Sequence, residues 1–192
     1  MALENLQRER LKKLKNIKRL GIDPYPSKSG RKHTISIARK MIGKKVSVAG
    51  RIRSIRPHGK ITFLDLEDST GRIQLFFSQE ILRGEKYEFL TNLDIGDFIE
   101  GRGEVFKTQA GEISVRISDY ELLTKSLRPL PSSWYGLKDV EERYRRRYVD
   151  LLMNSEVRNT LEKRSEIITS IRNFLINKKG YIEVENPILQ PI

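Results

Sequence analysis

Arg56, Phe63, Gln74 and Glu112 have the side-chain types needed to hold one unpaired nucleic-acid base. An exposed aromatic ring stacks on any base for roughly 1 to 3 kcal/mol, which supplies affinity without sequence preference. Preference has to come from the base edge. Uracil presents one N3 imino donor between two carbonyl acceptors, so a carboxylate flanked by amide or guanidinium donors would match it. Alternation along the chain places Leu64 and Leu66 on one side, opposite Ile61, Phe63 and Asp65, and sets Ile73, Leu75 and Phe77 against Gln74 and Phe76. Phe63 and Gln74 then face outward together. If Ile113, Val115 and Ile117 fill the interior, Glu112, Ser114 and Arg116 join the same outer surface, near Arg51, Arg53 and Arg56. Parity alone would turn Arg56 inward unless its strand has turned or bulged near Pro57. The same residues also fit an alternative in which Phe63 packs beneath the first helical region and Glu112 offsets local positive charge.

Other chemistries have less to stand on. His33 and His58 lie in polar stretches without carboxylates at ligand spacing, so no metal site is expected and both read as surface residues. The absence of cysteine removes disulfides and thiolate ligands. A formal charge of +12, from 37 Lys and Arg against 25 Asp and Glu, calls for a polyanionic partner, with nucleic acid ahead of an anionic membrane. No apolar run has the length of a signal peptide or a membrane span, which sets the expectation of a soluble, cytoplasmic protein without a membrane partner.

The elements that must position these residues follow from periodicity. Leu3, Leu6, Leu11, Leu14 and Ile17 recur at near-helical spacing among Arg8, Arg10, Lys12, Lys13, Lys15, Lys18 and Arg19, predicting a basic amphipathic helix that ends at Gly21. That helix is either a docking element or a phosphate-binding arm. A short helix follows Thr34. Within residues 45–124 the period falls to two, in the runs Val46 to Arg56, Ile61 to Leu66, Arg72 to Ser78, Phe98 to Phe106 and Ile113 to Leu123. Gly50, Gly101 and Gly103 sit inside strands, as bends and bulges require. A helical segment from Ile81 to Asn92 separates the third and fourth strands, which is the arrangement of an OB barrel. The proline-rich stretch from Leu127 to Pro131 marks a linker over 125–137. Lys138 to Leu152 reads as one helix with Tyr144, Tyr148 and Leu152 on a face, among arginines that either touch RNA or are solvated. A second helix starts after Asn154 as N-cap and carries the stripe Val157, Leu161, Ile168, Ile171 and Leu175 up to Gly180. The extended run from Tyr181 to Pro187 has little left to pack on and reads as the start of a truncated domain.

Val48-Ala49-Gly50-Arg51, Gly59-Lys60 through Phe63, Gly71-Arg72-Ile73-Gln74-Leu75, and Phe106-Lys107-Thr108 followed by Gly111-Glu112 resemble the anticodon-binding domain of class II lysyl-tRNA synthetases. Leu127 to Pro131, Gly136-Leu137, Arg143-Tyr144-Arg145 and Arg147 to Leu151 resemble that family's hinge, and Gly180 to Pro187 its motif 1. Asn186 stands where the family usually has threonine. The resemblance implies an α+β chain divided into an N-terminal helical region at 1–44, a five-stranded OB-fold anticodon-binding barrel at 45–124, a hinge at 125–152 and a truncated class II catalytic domain at 153–192. It implies that Phe63 stacks on an anticodon base while Arg56, Gln74 and Glu112 read base edges. Gly180 and Pro187 would belong to a homodimer interface. The whole enzyme would be a lysine–tRNA ligase using ATP and Mg2+ on a tRNA with a lysine anticodon. Motifs 2 and 3 would lie beyond Ile192, so this stretch is expected to hold no cofactor and to be inactive alone. The competing readings are a stand-alone single-stranded RNA binder, a fragment that pairs with a full-length subunit through motif 1, and an aspartyl- or asparaginyl-type synthetase fragment.

Overall fold

The period-two runs become five strands, β1 (Lys45–His58), β2 (Ile61–Asp68), β3 (Gly71–Ser78), β4 (Phe98–Lys107) and β5 (Ile113–Thr124), in a computed structural model that describes residues 2–131, 137, 139–185 and 187. Gly136 of the hinge motif and Asn186 of motif 1 lie outside the described residues. The strands close into a barrel in the order β1-β2-β3-β5-β4, antiparallel throughout except between β3 and β5. Closure pairs every strand on both sides. The interior is filled by Val48, Ile52, Leu64, Leu66, Ile73, Leu75, Phe77, Ile99, Val105, Val115 and Ile117, all buried, with Ile113 half-buried against them. Each such side chain contributes about 1.5 to 3 kcal/mol on leaving water. Gly50 and Gly103 serve close approach: a Cβ would run into the carbonyl of Glu67 at the first and of Arg116 at the second.

Chain contacts divide the protein into Met1–Leu130 and Pro131–Ile192. In the first unit, helix α1 (Ala2–Arg19) precedes Gly21 at φ 73°, and α2 (Ile35–Ala38) is capped by Thr34, whose Oγ1 accepts from the Ile37 amide at 3.4 Å. The helix expected over Ile81 to Asn92 is shorter, because Gly84 at φ 61° resets the backbone. Only α3 (Glu85–Glu88) and a 3-10 turn (Phe89–Asn92) form.

The apolar stripe expected on α1 docks only through its C-terminal part, Leu14 and Ile17. Ile17 is fully buried, but Leu6 is 52% and Leu11 38% exposed. Polar groups hold the helix as well. Arg10 donates to the carbonyls of Ile95 at 2.8 Å and Arg128 at 3.1 Å, and Lys13 reaches Asp94 at 2.7 Å. Beneath them the fully buried Lys125 ammonium donates to Asp94 at 2.5 Å, Asp97 at 2.7 Å and the Asn92 carbonyl at 2.9 Å. The carbonyls that close the barrel's end need donors once buried, and a long cationic side chain reaches them where leucine cannot.

The second unit holds α4 (Val140–Arg145), α5 (Arg147–Met153) and α6 (Ser155–Asn173), the last running into a π-helical turn (Phe174–Lys178). The single helix expected up to Leu152 breaks at Arg146 (φ −114°, ψ 48°), so Tyr144 and Tyr148 do not share one helical face. The arginines there pair within the segment: Arg143 and Arg147 reach the buried Asp150 at 3.0 and 2.6 Å, while Arg145 and Arg146 pair with Glu141 and Glu142. Asn154 caps α6 as expected, accepting from the amides of Glu156 and Val157. Leu161, Ile168, Ile171 and Leu175 are exposed on α6 and the turn after it, and Gly180 has φ 72°. Residues 181–185 and Pro187 are in neither helix nor strand. Among the described residues no helix is long and apolar enough to cross a membrane.

Candidate nucleic-acid interface

The pairing registers arrange the outer face of β1, β2, β3 and β5 in rows. One row runs Ser54, Asp65, Gln74, Ser114 and the next runs Arg56, Phe63, Phe76, Arg116. Phe63 and Gln74 therefore share this face, as alternation required. Arg56 joins it through a bulge that lies between Ile52 and Ser54, not near Pro57. Arg53 is the residue skipped; the shift restores Ile55 to the inside opposite Leu64 and turns Arg56 outward opposite Phe63. Arg53 itself lies 3.4 Å from the Glu67 carboxylate, with its Nη1 buried and unpartnered.

Local bonds prepare three of the four residues. The Phe63 ring is half-buried, edge-on to His58 at 6.3 Å and tilted 51° against Phe76 at 5.4 Å between centroids. The Gln74 Oε1 accepts from the hydroxyl of Ser114 at 2.9 Å, which leaves both amide N–H groups to donate elsewhere. Ser114 has outward parity yet no exposure, since it sits in the ladder between Gln74 and Phe106. Arg56 forms a two-pronged pair with Asp65, Nη1 to Oδ2 at 2.7 Å and Nη2 to Oδ1 at 2.8 Å, and Ser54 donates to the same carboxylate at 2.5 Å. The hydrogen bond to Asp65 raises the Arg56 pKa above its ordinary value. The reciprocal bond from Arg56, aided by Ser54 and opposed by burial, holds Asp65 below the usual carboxylate range. Arg56 is thus charged and held in place.

Glu112 stands apart from this cluster. It lies in the loop before β5, where its amide donates to Thr108 Oγ1 at 3.0 Å and its carbonyl accepts from the Thr108 amide at 2.9 Å. Its exposed carboxylate has Arg39 at 3.8 Å. The alternative in which Glu112 offsets positive charge therefore has one concrete contact, whereas Phe63 lies on the open face of the sheet.

Asp65, Ser54, Phe106 and Arg116 were not singled out from sequence. Parity had put Asp65 and Arg116 outward, and that was the available signal; the Arg56–Asp65 pair needed the bulge, which no residue announces. Of the histidines, His58 is exposed, but His33 is half-buried and its Nδ1 accepts from the Ser47 amide at 3.2 Å.

Comparison with known proteins matches the same segments. The OB-fold nucleic acid binding domain family matches residues 46–123, and the family of class II tRNA synthetases (D, K and N) matches 139–192. A lysine–tRNA ligase of Carboxydothermus hydrogenoformans is 47% identical over 194 residues, covering 99% of this chain and 40% of that protein. One from Syntrophomonas wolfei is 47% identical over 196 residues, covering 100% and 40%, and one from Clostridium botulinum is 48% identical over 192 residues, covering 97% and 38%. The chain spans about 40% of the length of the relatives it matches first.

Proposed function

Because this chain belongs to the class II tRNA synthetases of the D, K and N group and carries their OB-fold domain, we propose that it recognises the anticodon of a lysine tRNA for a longer protein that ligates lysine to that tRNA. One observation carries the reading: an outward Phe63 stands beside a Gln74 amide with its donors free and an Arg56 guanidinium already oriented. Phe63 stacks on the middle base, which is uracil in lysine anticodons. Gln74 and Arg56 donate to its carbonyls, and Glu112 accepts from N3–H after leaving Arg39. The longer protein uses ATP and Mg2+, works in the cytoplasm and dimerises through a surface that includes Gly180 and Pro187. Among the described residues no group of three or more His, Asp or Glu side chains could hold a metal ion. Nothing in residues 1–192 is assigned to that chemistry.

The test is binding of an RNA hairpin bearing the lysine anticodon, and of a copy with the middle uracil replaced by cytosine. A polar group left unpaired costs about 1 to 3 kcal/mol, so the cytosine hairpin should bind roughly 5-fold to 150-fold more weakly. Glu112→Gln should shrink the ratio, and Phe63→Ala should weaken both RNAs alike. Equal affinity for the two hairpins would discard anticodon reading and leave a non-specific single-strand binder. Aspartate and asparagine anticodons share the middle uracil, so a hairpin carrying the aspartate anticodon should also bind more weakly if lysine is the right assignment.

A further inference from the structure

Within the first unit, the C-terminal end of α1, the chain that follows it, α3 with its 3-10 turn, and β5 line a groove of about 900 Å³. None of its lining residues belongs to the face that carries Phe63 and Gln74. Hydrogen bonds tie its walls together: Asn16 on α1 donates to the Asn92 carboxamide at 2.9 Å, and the buried Tyr120 hydroxyl donates to the Lys86 carbonyl at 2.8 Å. The floor is apolar. The Phe89 and Tyr120 rings lie 6.2 Å apart, Leu122 is buried, and Leu20 and Ile22 stay exposed to water beside them.

The charge at the rim runs against that of the chain as a whole. In a protein of net charge +12, the exposed Glu85, Glu88 and Asp23 make no ion pair among the described residues, and Asp23 accepts from the Tyr25 amide at 2.9 Å. Lys86 and Glu121, also in the lining, are met by Asp119 and Arg102. Arg19 is the one cation of the lining without a carboxylate, and it donates to Asn16 Oδ1 at 2.9 Å. An acidic rim repels a polyanion, which removes RNA as the occupant. An apolar floor with charges beside it suits the apolar face of an amphipathic helix, whose flanking charges then meet the rim.

We propose that this groove docks a basic amphipathic segment of a partner protein. The segment lays its apolar side chains on Leu20, Ile22 and Phe89 and turns its lysines or arginines toward Glu85, Glu88 and Asp23. The net positive charge of the chain repels cations in general, so a cationic peptide is retained only where apolar anchors and unpaired carboxylates coincide.

The experiment uses the full chain and a fluorescein-labelled fourteen-residue peptide of leucine and lysine, with the leucines at helical spacing. Two controls accompany it: the same composition scrambled, and a copy with glutamate in place of lysine. Only the first peptide should bind in anisotropy titration. The double variant Glu85→Gln, Glu88→Gln should weaken it by about 3-fold or more, the scale of two exposed ion pairs, and Leu20→Ser by about 5-fold. Both variants should keep native affinity for the lysine-anticodon hairpin. A photo-crosslinking version of the peptide, applied to the native chain, should label fragments containing residues 20–26 or 85–92. Absence of binding at 100-fold excess of peptide, equal binding of the scrambled control, native peptide affinity in both variants, or labelling confined to α6 overturns the proposal. Concentration-dependent self-association that Leu20→Ser abolishes would place a second copy of this chain in the groove, and also overturns it.

Discussion

Asp65→Asn should lower base discrimination and at the same time raise the electrostatic part of RNA binding. In the native chain both Asp65 oxygens accept from Arg56, at 2.7 and 2.8 Å, and this fixes the guanidinium beside Phe63. Asparagine keeps one acceptor and sets an N–H2 against the other guanidinium prong. The pair is partly wet, with side-chain exposures of 42% for Arg56 and 29% for Asp65, so solvent screens it and its contribution is about 1 kcal/mol, the upper end for exposed pairs. If that orientation serves the base edge, the uracil-to-cytosine ratio should fall about 5-fold. Removing the carboxylate also uncovers one positive charge, which should steepen the slope of log affinity against log salt by about 0.7 for a single strand. The assay is fluorescence titration of both hairpins at several salt concentrations. The pH dependence has a defined sign. The folded-state pKa of Asp65 is depressed, chiefly by the hydrogen bond from Arg56, so the clamp is present above the ordinary carboxylate range and is lost only as pH falls through the depressed value. Discrimination by the native chain should therefore be flat from about pH 8 to about pH 5, where carboxylates with ordinary pKa values are still ionised. An Asp65→Asn protein with native discrimination and a native salt slope would refute the idea that Asp65 positions Arg56 for reading.

Lys125→Met should destabilise the first unit by about 3 to 5 kcal/mol in urea unfolding followed by circular dichroism, because it leaves Asp97 buried with its countercharge gone. A loss under about 1 kcal/mol would mean that the ion cluster does not hold the barrel's end closed. On α1, Lys15 and Lys18 are exposed, so changing both to alanine should flatten the salt slope by about 0.7 for each phosphate that is no longer neutralised and leave the uracil-to-cytosine ratio alone. A changed ratio would show that α1 takes part in base reading.

Much of the barrel was legible because alternation carries a period that strand pairing preserves wherever no bulge interrupts it. Once Leu64, Leu66, Ile73 and Leu75 had to face inward, Phe63 and Gln74 had no other side to occupy. Helix ends were legible where a residue type enforces them, as at Thr34, Asn154 and Gly21. Reading failed where long side chains choose among partners distant in sequence. Arg10 and Lys13 belong to a basic helix that reads as either a docking element or a phosphate-binding arm, and they satisfy groups 80 or more residues away. The arginine-rich run near Tyr144 looked like one helix, and the break at Arg146 accompanies the convergence of Arg143 and Arg147 on Asp150.

By itself the sequence determined the chemistry at hand: a basic chain, a five-stranded alternating core, and an aromatic with an amide on its outer surface. Only the tertiary structure decided which charges are available to a partner. A single skipped residue at Arg53 sets the side on which Arg56 emerges, and a bulge is a property of two strands in register, invisible in either one. Burial then sorts the cations. Lys125 is wholly enclosed by carboxylates and a carbonyl, Arg56 is clamped by Asp65, and Arg116 lies over Phe106 without an ion pair among the described residues, although Glu104 stands opposite it on β4. Residue type counts every lysine and arginine as one charge, whereas desolvation and pairing, which depend on three-dimensional neighbours, determine whether that charge can act on a partner.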